Sequence, residues 1–439
     1  MLGMTDASGG AAPRAIVHID GDAFFASCEQ ATHPEWRGRA VITGKERGIV
    51  SAASYEAKAR GVSRGTPLWD VKKIIPDAII VPSDYETYSL FSKRMFEIMR
   101  RFTSEVEEYS IDEGFCDITG LDRPMGCSYE EIVRRMKRAI ESELGITVSA
   151  GLSCTKTLAK VGSKWKKPSG LTVIPREGIS KFLSALPVGK VWGLGPATAH
   201  RCIGLGLATA QDFAAQDEKF IRCHFARPQW ETWRELNGLP TFPLETELKD
   251  TYNSIGKSRT FTPPSTDREF VFAQLLKNLE NACIKARRHH LAARGLVVYL
   301  RRQDFRHDVT ETALDRATAF PMELTATLRQ LFGSVYRPRT EYRATGVVLT
   351  GLVPQDAVQL SIFEPPAEMR KMEKLYAAMD QLAATMGKHC VFSAAAAAAH
   401  GTPQHILDRG NVPQRKLGRL KGETRRRHLR LPVMPGGAV

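Results

Sequence analysis

The apolar and polar positions of this chain divide it into a few long units. The run Ala15 to Ile19 predicts a strand that ends on two carboxylates, Asp20 and Asp22, and continues into the aromatic pair Phe24 and Phe25. Residues 23 to 81 form a small region with the strand-like stretches "AVIT" and "GIVSAAS" and a basic helix, "YEAKARG". Tyr88, Phe91, Met95, Met99 and Phe102 then recur at helical spacing, with Lys93, Arg94 and Arg100 on the opposite face. A second strand-like run alternates as far as Ile111 and resumes at Phe115, so Asp112 and Glu113 fall where a turn breaks the pleat. A helix with Ile132, Met136, Ile140 and Leu144 on one side follows, then the strand "ITVSAGLS" and a basic helix from Thr155 to Trp165. The first strand is expected to join these later strands in one sheet, with region 23–81 inserted between its parts.

Further along, "LPVGKVWGLGPATAHRCIGLGLAT" has the pattern of a helix-hairpin-helix, whose glycines Gly193 and Gly195 let backbone approach a phosphate at a helix N-terminus. Alone, such a turn is more often a simple helix corner. Residues 255–352 read strand, helix, strand, strand, helix, strand, which predicts a four-stranded sheet with two helices on one face. Its exposed positions are expected to be rich in Arg and Lys (Lys257, Arg259, Arg287, Arg288, Arg294, Arg301, Arg302 and Arg306), and because these charges cluster on strands instead of pairing with acids along a helix, a duplex-gripping surface is favoured over a merely solvated face. After "VQLSIFEPP" come a helix near Met369 to Met386, a run of alanines and a basic tail.

Charge sharpens this outline. At 439 residues the chain should hold about three domains. Its formal net charge of +14 and pI near 9.4 favour a polyanionic partner, either nucleic acid or an anionic membrane surface. The sequence has no membrane-length apolar run and its start lacks the order of a secretory signal, so a soluble cytoplasmic protein is expected. The 8 cysteines show neither C-x-x-C pairing nor companion histidines, so they read as reduced thiols and not as a zinc site.

Carboxylates at the end of an apolar strand are expensive to bury without positive compensation. Adjacent residues of a regular strand point to opposite faces, and only at a turn or strand end can neighbouring carboxylates face one ion. Single acids of this kind are usually solvated turn residues. Two clusters on neighbouring strands, without His or Cys, instead suit the hard ions Mg²⁺ or Mn²⁺. Two such ions, about 3.5 to 4 Å apart, clamp the attacking and leaving oxygens of a phosphoryl transfer.

With these residues in view, the chain resembles the Y-family DNA polymerases from about Arg14 to Leu352. "HIDGDAFFASCE" and "YSIDEGFCDIT" are similar to the family's two catalytic motifs, "GLSCTKTLAKVGSKWKKPSGL" to its palm helix and "ALPVGKVWGLG" to its thumb. The opening resembles the DinB-type polymerase IV, whereas "YSIDEGFCDITG", "EAKARG" and the extended C-terminus are similar to UmuC. The resemblance implies an α+β multidomain right hand. Its parts are a disordered leader (1–13), a ferredoxin-like palm (14–22 and 82–174), small fingers (23–81), a helix-hairpin-helix thumb (175–246), a βαββαβ little finger (252–353) and a C-terminal extension (354–439).

By motif position, Asp20, Asp112 and Glu113 are the catalytic, metal-binding carboxylates, with the carbonyl of Gly21 as a further ligand and Asp22 structural. Phe25 falls on the steric gate that excludes a 2′-hydroxyl, beside Phe24, and a core role suits one of the two better than both. Tyr55, Lys58 and Lys167 match positions that hold the triphosphate. Gly193, Gly195, Lys257, Arg259, Arg301 and Arg302 are the expected DNA contacts. Gln359, Leu360, Ile362 and Phe363 match the sliding-clamp peptide, which by itself could be an amphipathic turn. The implied activity is low-fidelity translesion synthesis from dNTPs on primer-template DNA, using two Mg²⁺ ions or Mn²⁺. Whether a UmuD-like protein or RecA is needed stays open, and a two-metal nuclease or an inactive DNA-binding or clamp-binding scaffold are the rival readings.

Overall fold

The computed structural model describes residues 14–247, 252–357, 366–387 and 389–400, which fall into two compact units, 14–247 and 252–400. The leader 1–13, the clamp-type peptide Gln359, Leu360, Ile362 and Phe363, and the basic tail beyond residue 400 lie outside the described residues.

In the first unit, β1 (Ile16–Gly21) leads into an inserted layer. The layer contains α1 (Phe24–Thr32), β2 (Val41–Thr43), β3 (Ala52–Ala53), α2 (Tyr55–Ala59), α3 (Leu68–Ile74) and β4 (Ile79–Val81). Its three short strands enclose a small core with Ile42, Val62, Val71 and Ile75. The chain returns through α4 (Tyr85–Arg100), β5 (Val106–Glu107), β6 (Glu113–Asp117), α5 (Asp122–Met125), α6 (Tyr129–Leu144), β7 (Val148–Ser153), α7 (Lys156–Trp165) and β8 (Leu171–Val173). The sheet order is β5-β6-β1-β7-β8, with β1 antiparallel to both neighbours. Without the insertion this is a ferredoxin-like βαββαβ sheet. It is extended by β8, which lies parallel to β7 because α7 supplies the crossover.

Strand alternation separates the two faces of this sheet. Val17 and Ile19 join Met95 and Met99 of α4 and Met136 and Ile140 of α6 in the main core. Ile16 and Phe115 face the other way and meet Ala159 of α7. Helix α7 lies directly on strand backbone there. A Cβ at Gly151 would stand 2.0 Å from the Ala159 carbonyl oxygen and 2.3 Å from the Ser163 nitrogen, so only glycine fits. This contact fixes α7, whose N-terminus is capped by Thr155 Oγ1 accepting from Leu158 N at 3.3 Å.

Five short helices complete the unit: α8 (Ile179–Ser184), α9 (Pro196–Gly204), α10 (Ala210–Ala214), α11 (Glu218–His224) and α12 (Arg227–Leu236). They pack around Leu183, Leu194, Phe213 and Leu236. The arm that enters the Gly193 turn is a single 3₁₀ turn, Val188–Lys190, and not a full helix, because Pro187 precedes it and Gly189 sits inside it.

The second unit runs β9 (Ser254–Ser265), α13 (Arg268–Arg288), β10 (Leu291–Arg302), β11 (His307–Thr318), α14 (Pro321–Val335), β12 (Tyr342–Pro354), α15 (Pro366–Met386) and α16 (Ala397–His400). Its sheet order, β11-β10-β12-β9, places the second and fourth strands of the unit at the centre, unlike the first sheet despite the same succession of elements. Leu275, Leu279, Leu328 and Phe332 of the two long helices cover Val298, Leu300, Val347 and Leu349. No helix among the described residues is long and apolar enough to cross a membrane.

Gly151→Ala is expected to lower unfolding stability by about 3 kcal/mol, the upper end for overpacking against backbone. Gly204→Ala, where an added Cβ meets nothing within 4 Å, should stay within about 0.5 kcal/mol. Urea denaturation of the two variants checks the contrast.

Candidate active site

The acidic centre is built from the ends of β1 and β6. Asp20 and Glu113 are register partners across these strands. A carboxylate oxygen of each and a ring nitrogen of His18 all lie within 4.8 Å of one another. Asp112 occupies the bend before β6. Its carbonyl accepts from Gly21 N at 2.7 Å, and its carboxylate accepts from Ser110 Oγ at 2.8 Å. Ser110 N also donates to the Glu113 carbonyl at 2.9 Å, closing the bend. Glu113 is therefore already a strand residue, and only Asp112 belongs to the break.

Positive groups surround these acids without balancing them. Burial raises the pKa of Asp20 most; Lys167 pulls it down, Glu113 and Asp112 push it up, and the net shift is upward. Lys167 bonds Asp20 and lies 3.4 Å from Asp22. Burial works against its charge, but the acids outweigh burial and its pKa is raised. Burial also opposes the charge on Glu113, yet His18 and Lys160 prevail and hold it down to about 2. Lys160 Nζ lies 2.9 Å from Glu113 Oε1, and 4.3 Å and 4.9 Å from the ring centres of Tyr109 and Trp192. His18 is fully buried, which lowers its pKa to about 4 and leaves it neutral at pH 7. Its Nδ1 pairs with Ser163 Oγ at 2.7 Å, and its Nε2 is 3.2 Å from Glu113 Oε2 but out of line for a formed hydrogen bond. Asp22 is completely buried and accepts from Ser149 Oγ at 2.8 Å and Ser169 N at 2.7 Å, so it anchors the loop after α7.

A second group flanks Asp20. Tyr55 is placed beside Asp22, and Lys58 Nζ stands 4.3 Å above the Tyr55 ring. Burial lowers the Lys58 pKa and the like charge of Lys167 lowers it further, so the two ammonium groups share a site that welcomes an anion. Phe25 is half-buried, stacked on Tyr88 at 4.4 Å and edge-on to Tyr85 at 5.4 Å. Phe24 is 3% exposed, with its side chain packed in the main core.

The expected DNA contacts divide similarly. Gly193 has φ +93°, and a Cβ there would stand 2.6 Å from Thr232 Oγ1, whereas Gly195 faces open space. Glu113, Lys160, Trp192, Gly193 and Gly195 line one cleft of about 840 Å³. In the second unit, Lys257 and Arg259 share the strand face of Ile255 and Phe261. Arg301 lies 4.8 Å above the exposed Phe305 ring. Arg302 is paired with Asp308, its Nε donating at 2.6 Å and its Nη2 to the other carboxylate oxygen. It braces the β10–β11 hairpin.

His18 and Lys160 were not singled out from sequence, although His18 lies two residues before Asp20 and so on the same strand face. The donors of Asp20, Asp112, Glu113 and the Gly21 carbonyl are all oxygens with a surplus of negative charge, which fits a hard divalent cation.

The impB/mucB/samB family matches residues 19–164, and its C-terminal domain matches residues 252–362. DNA polymerase IV of Desulfatibacillum aliphaticivorans is 33% identical over 87% of this chain and 96% of its own length. DNA polymerase IV 1 of Bacillus subtilis (strain 168) is 32% identical over 82% and 90%. A Y-family DNA polymerase chimera built on Dbh superposes with a TM-score of 0.64 at 24% identity, covering 77% of this chain and 99% of that one. The insertion ternary complex of Dbh DNA polymerase gives 0.51 at 23% identity, with the same coverage. The chain therefore belongs to the Y-family, the impB/mucB/samB family of translesion DNA polymerases, and is a DNA-directed DNA polymerase that uses divalent metal ions.

Proposed function

We propose that Asp20, Asp112 and Glu113, with the Gly21 carbonyl, hold the metal ions, that these are Mg²⁺ with Mn²⁺ as a substitute, and that the surrounding residues select and hold a dNTP. The observation that supports this reading best is the cross-strand pairing of Asp20 with Glu113 beside the Lys58 and Lys167 cradle. The ions, when bound, acidify the primer 3′-hydroxyl and neutralise the departing pyrophosphate. Lys58, Lys167 and Tyr55 orient the triphosphate, Lys58 as a point charge without the two-pronged grip of an arginine. Phe25, held by Tyr88 and Tyr85, lies under the sugar and excludes a 2′-hydroxyl. Lys160 positions Glu113, and Ser163 holds the His18 ring beside it.

In this reading the first sheet is the palm (14–22 and 82–174), the inserted layer the fingers (23–81), the five short helices the thumb (175–246) and the second unit the little finger (252–353). The small fingers press little bulk on the nascent pair, which accounts for low fidelity. Gly193, Gly195, Lys257, Arg259 and Arg301 grip the primer-template. Gln359, Leu360, Ile362 and Phe363 dock on a sliding clamp. On this reading the chain synthesises DNA without a UmuD-like protein or RecA.

Purified chain with dNTPs, Mg²⁺ and primer-template is expected to extend the primer unaided. Asp112→Ala should abolish extension and change the DNA Kd by less than about twofold, since an acid adds nothing to phosphate binding. Extension by this variant would overturn the assignment. Phe25→Ala should raise ribonucleotide incorporation at least about tenfold, worth about 1.4 kcal/mol; unchanged sugar selection in single-nucleotide kinetics would refute the gate.

A further inference from the structure

A second group of ligating side chains lies in the unit 252–400. Glu280 on α13, His389 and His400 bring a carboxylate oxygen and two ring nitrogens within 4.8 Å of one another. The three side chains are 10%, 5% and 6% exposed. Glu280 Oε1 accepts from Ser393 N at 3.0 Å. Its Oε2 is buried without a hydrogen-bond partner, 3.8 Å from His389 Nδ1 and 4.0 Å from His400 Nε2.

Asn281 settles the tautomer of His389. Its Nδ2 donates to the Lys277 carbonyl at 2.9 Å, so its Oδ1 is the atom 3.2 Å from His389 Nε2. In the neutral ring, Nε2 therefore carries the proton and Nδ1 turns a lone pair toward Glu280. Two acceptors facing each other in a buried space repel unless a cation or a proton lies between them. A carbonyl oxygen that receives the far N–H of a histidine is also the usual partner that orients a metal-ligating imidazole. Phe392 stacks on His400 at 4.0 Å and fixes the second ring.

We propose that Glu280, His389 and His400 bind one Zn²⁺ ion, which clips residues 389–400 onto α13. Two imidazoles with one carboxylate suit zinc and not the hard ions of the acidic centre. The ligand separations of 3.8 and 4.0 Å contract on binding toward the roughly 3.4 Å edge of a tetrahedron with 2.0 to 2.1 Å bonds. Ala396 of this segment lies in the core of the unit and Ala399 is fully buried. The ion adds to these contacts in holding this part of the C-terminal extension docked.

The test uses the full chain, stripped with a chelator and titrated with Zn²⁺ in excess Mg²⁺, which occupies the oxygen-ligand site. Calorimetry is expected to show one Zn²⁺ whose affinity falls at least tenfold in both Glu280→Gln and His400→Ala, with primer extension retained as evidence of folding. Amide exchange in residues 389–400 should slow on adding Zn²⁺ to wild type only. Equal Zn²⁺ affinity in wild type and both variants would overturn the proposal. So would exchange that follows pH but ignores Zn²⁺, which assigns the cluster to a shared proton.

Discussion

Two carboxylates placed directly opposite each other on adjacent antiparallel strands, Asp20 and Glu113, are the constraint on which the first unit depends. Like charges in that position oppose sheet formation. At about 4 Å their repulsion ranges from about 1 kcal/mol in water to about 4 kcal/mol at a partly buried site. The surrounding elements answer this strain. Lys160 meets Glu113, Lys167 meets Asp20, and the neutral His18 fills the space between without adding charge. Both lysines are carried by α7 and the residues just after it, so the backbone contact at Gly151 and Gly162 also governs the electrostatics. The compensation is incomplete, because Asp112 and Asp22 add further negative charge. The deficit favours divalent cations.

The long gap in sequence between the two strands has a physical use. Everything between β1 and α4 forms the inserted layer, which sets Phe25, Tyr55 and Lys58 beside Asp20. One strand end thus provides a metal ligand, and the layer that follows it provides the nucleotide cradle. The ferredoxin-like sheet keeps the halves in register across the interruption.

Much of this was legible in the sequence because the signals were local. Hydrophobic periodicity predicted the long helices α4 and α6, and the succession of strands and helices over 255–352 was readable as a βαββαβ unit. Motif spacing brought Asp20, Asp112 and Glu113 into one argument before their strands could be paired. What stayed hidden depended on tertiary contacts. Phe24 and Phe25 are chemically identical neighbours, and only packing shows that the first belongs to the core. Arg302 looked like a free cation because its partner Asp308 lies across a hairpin. Lys160 was one lysine of several on a basic helix. The different strand orders of the two βαββαβ sheets have no sequence signature. Glu280, His389 and His400 share no ligand spacing because the fold, not a loop, brings them together.

The central claim is that the negative surplus between β1 and β6 is a cation site. Its most direct test is anomalous scattering from Mn²⁺ in crystals of the chain with primer-template DNA and an incoming dNTP. The account predicts manganese bounded by the carboxylates of Asp20, Asp112 and Glu113 and the carbonyl of Gly21. Manganese absent from that position, with Asp20 and Glu113 still paired to Lys167 and Lys160 around a bound nucleotide, would contradict it.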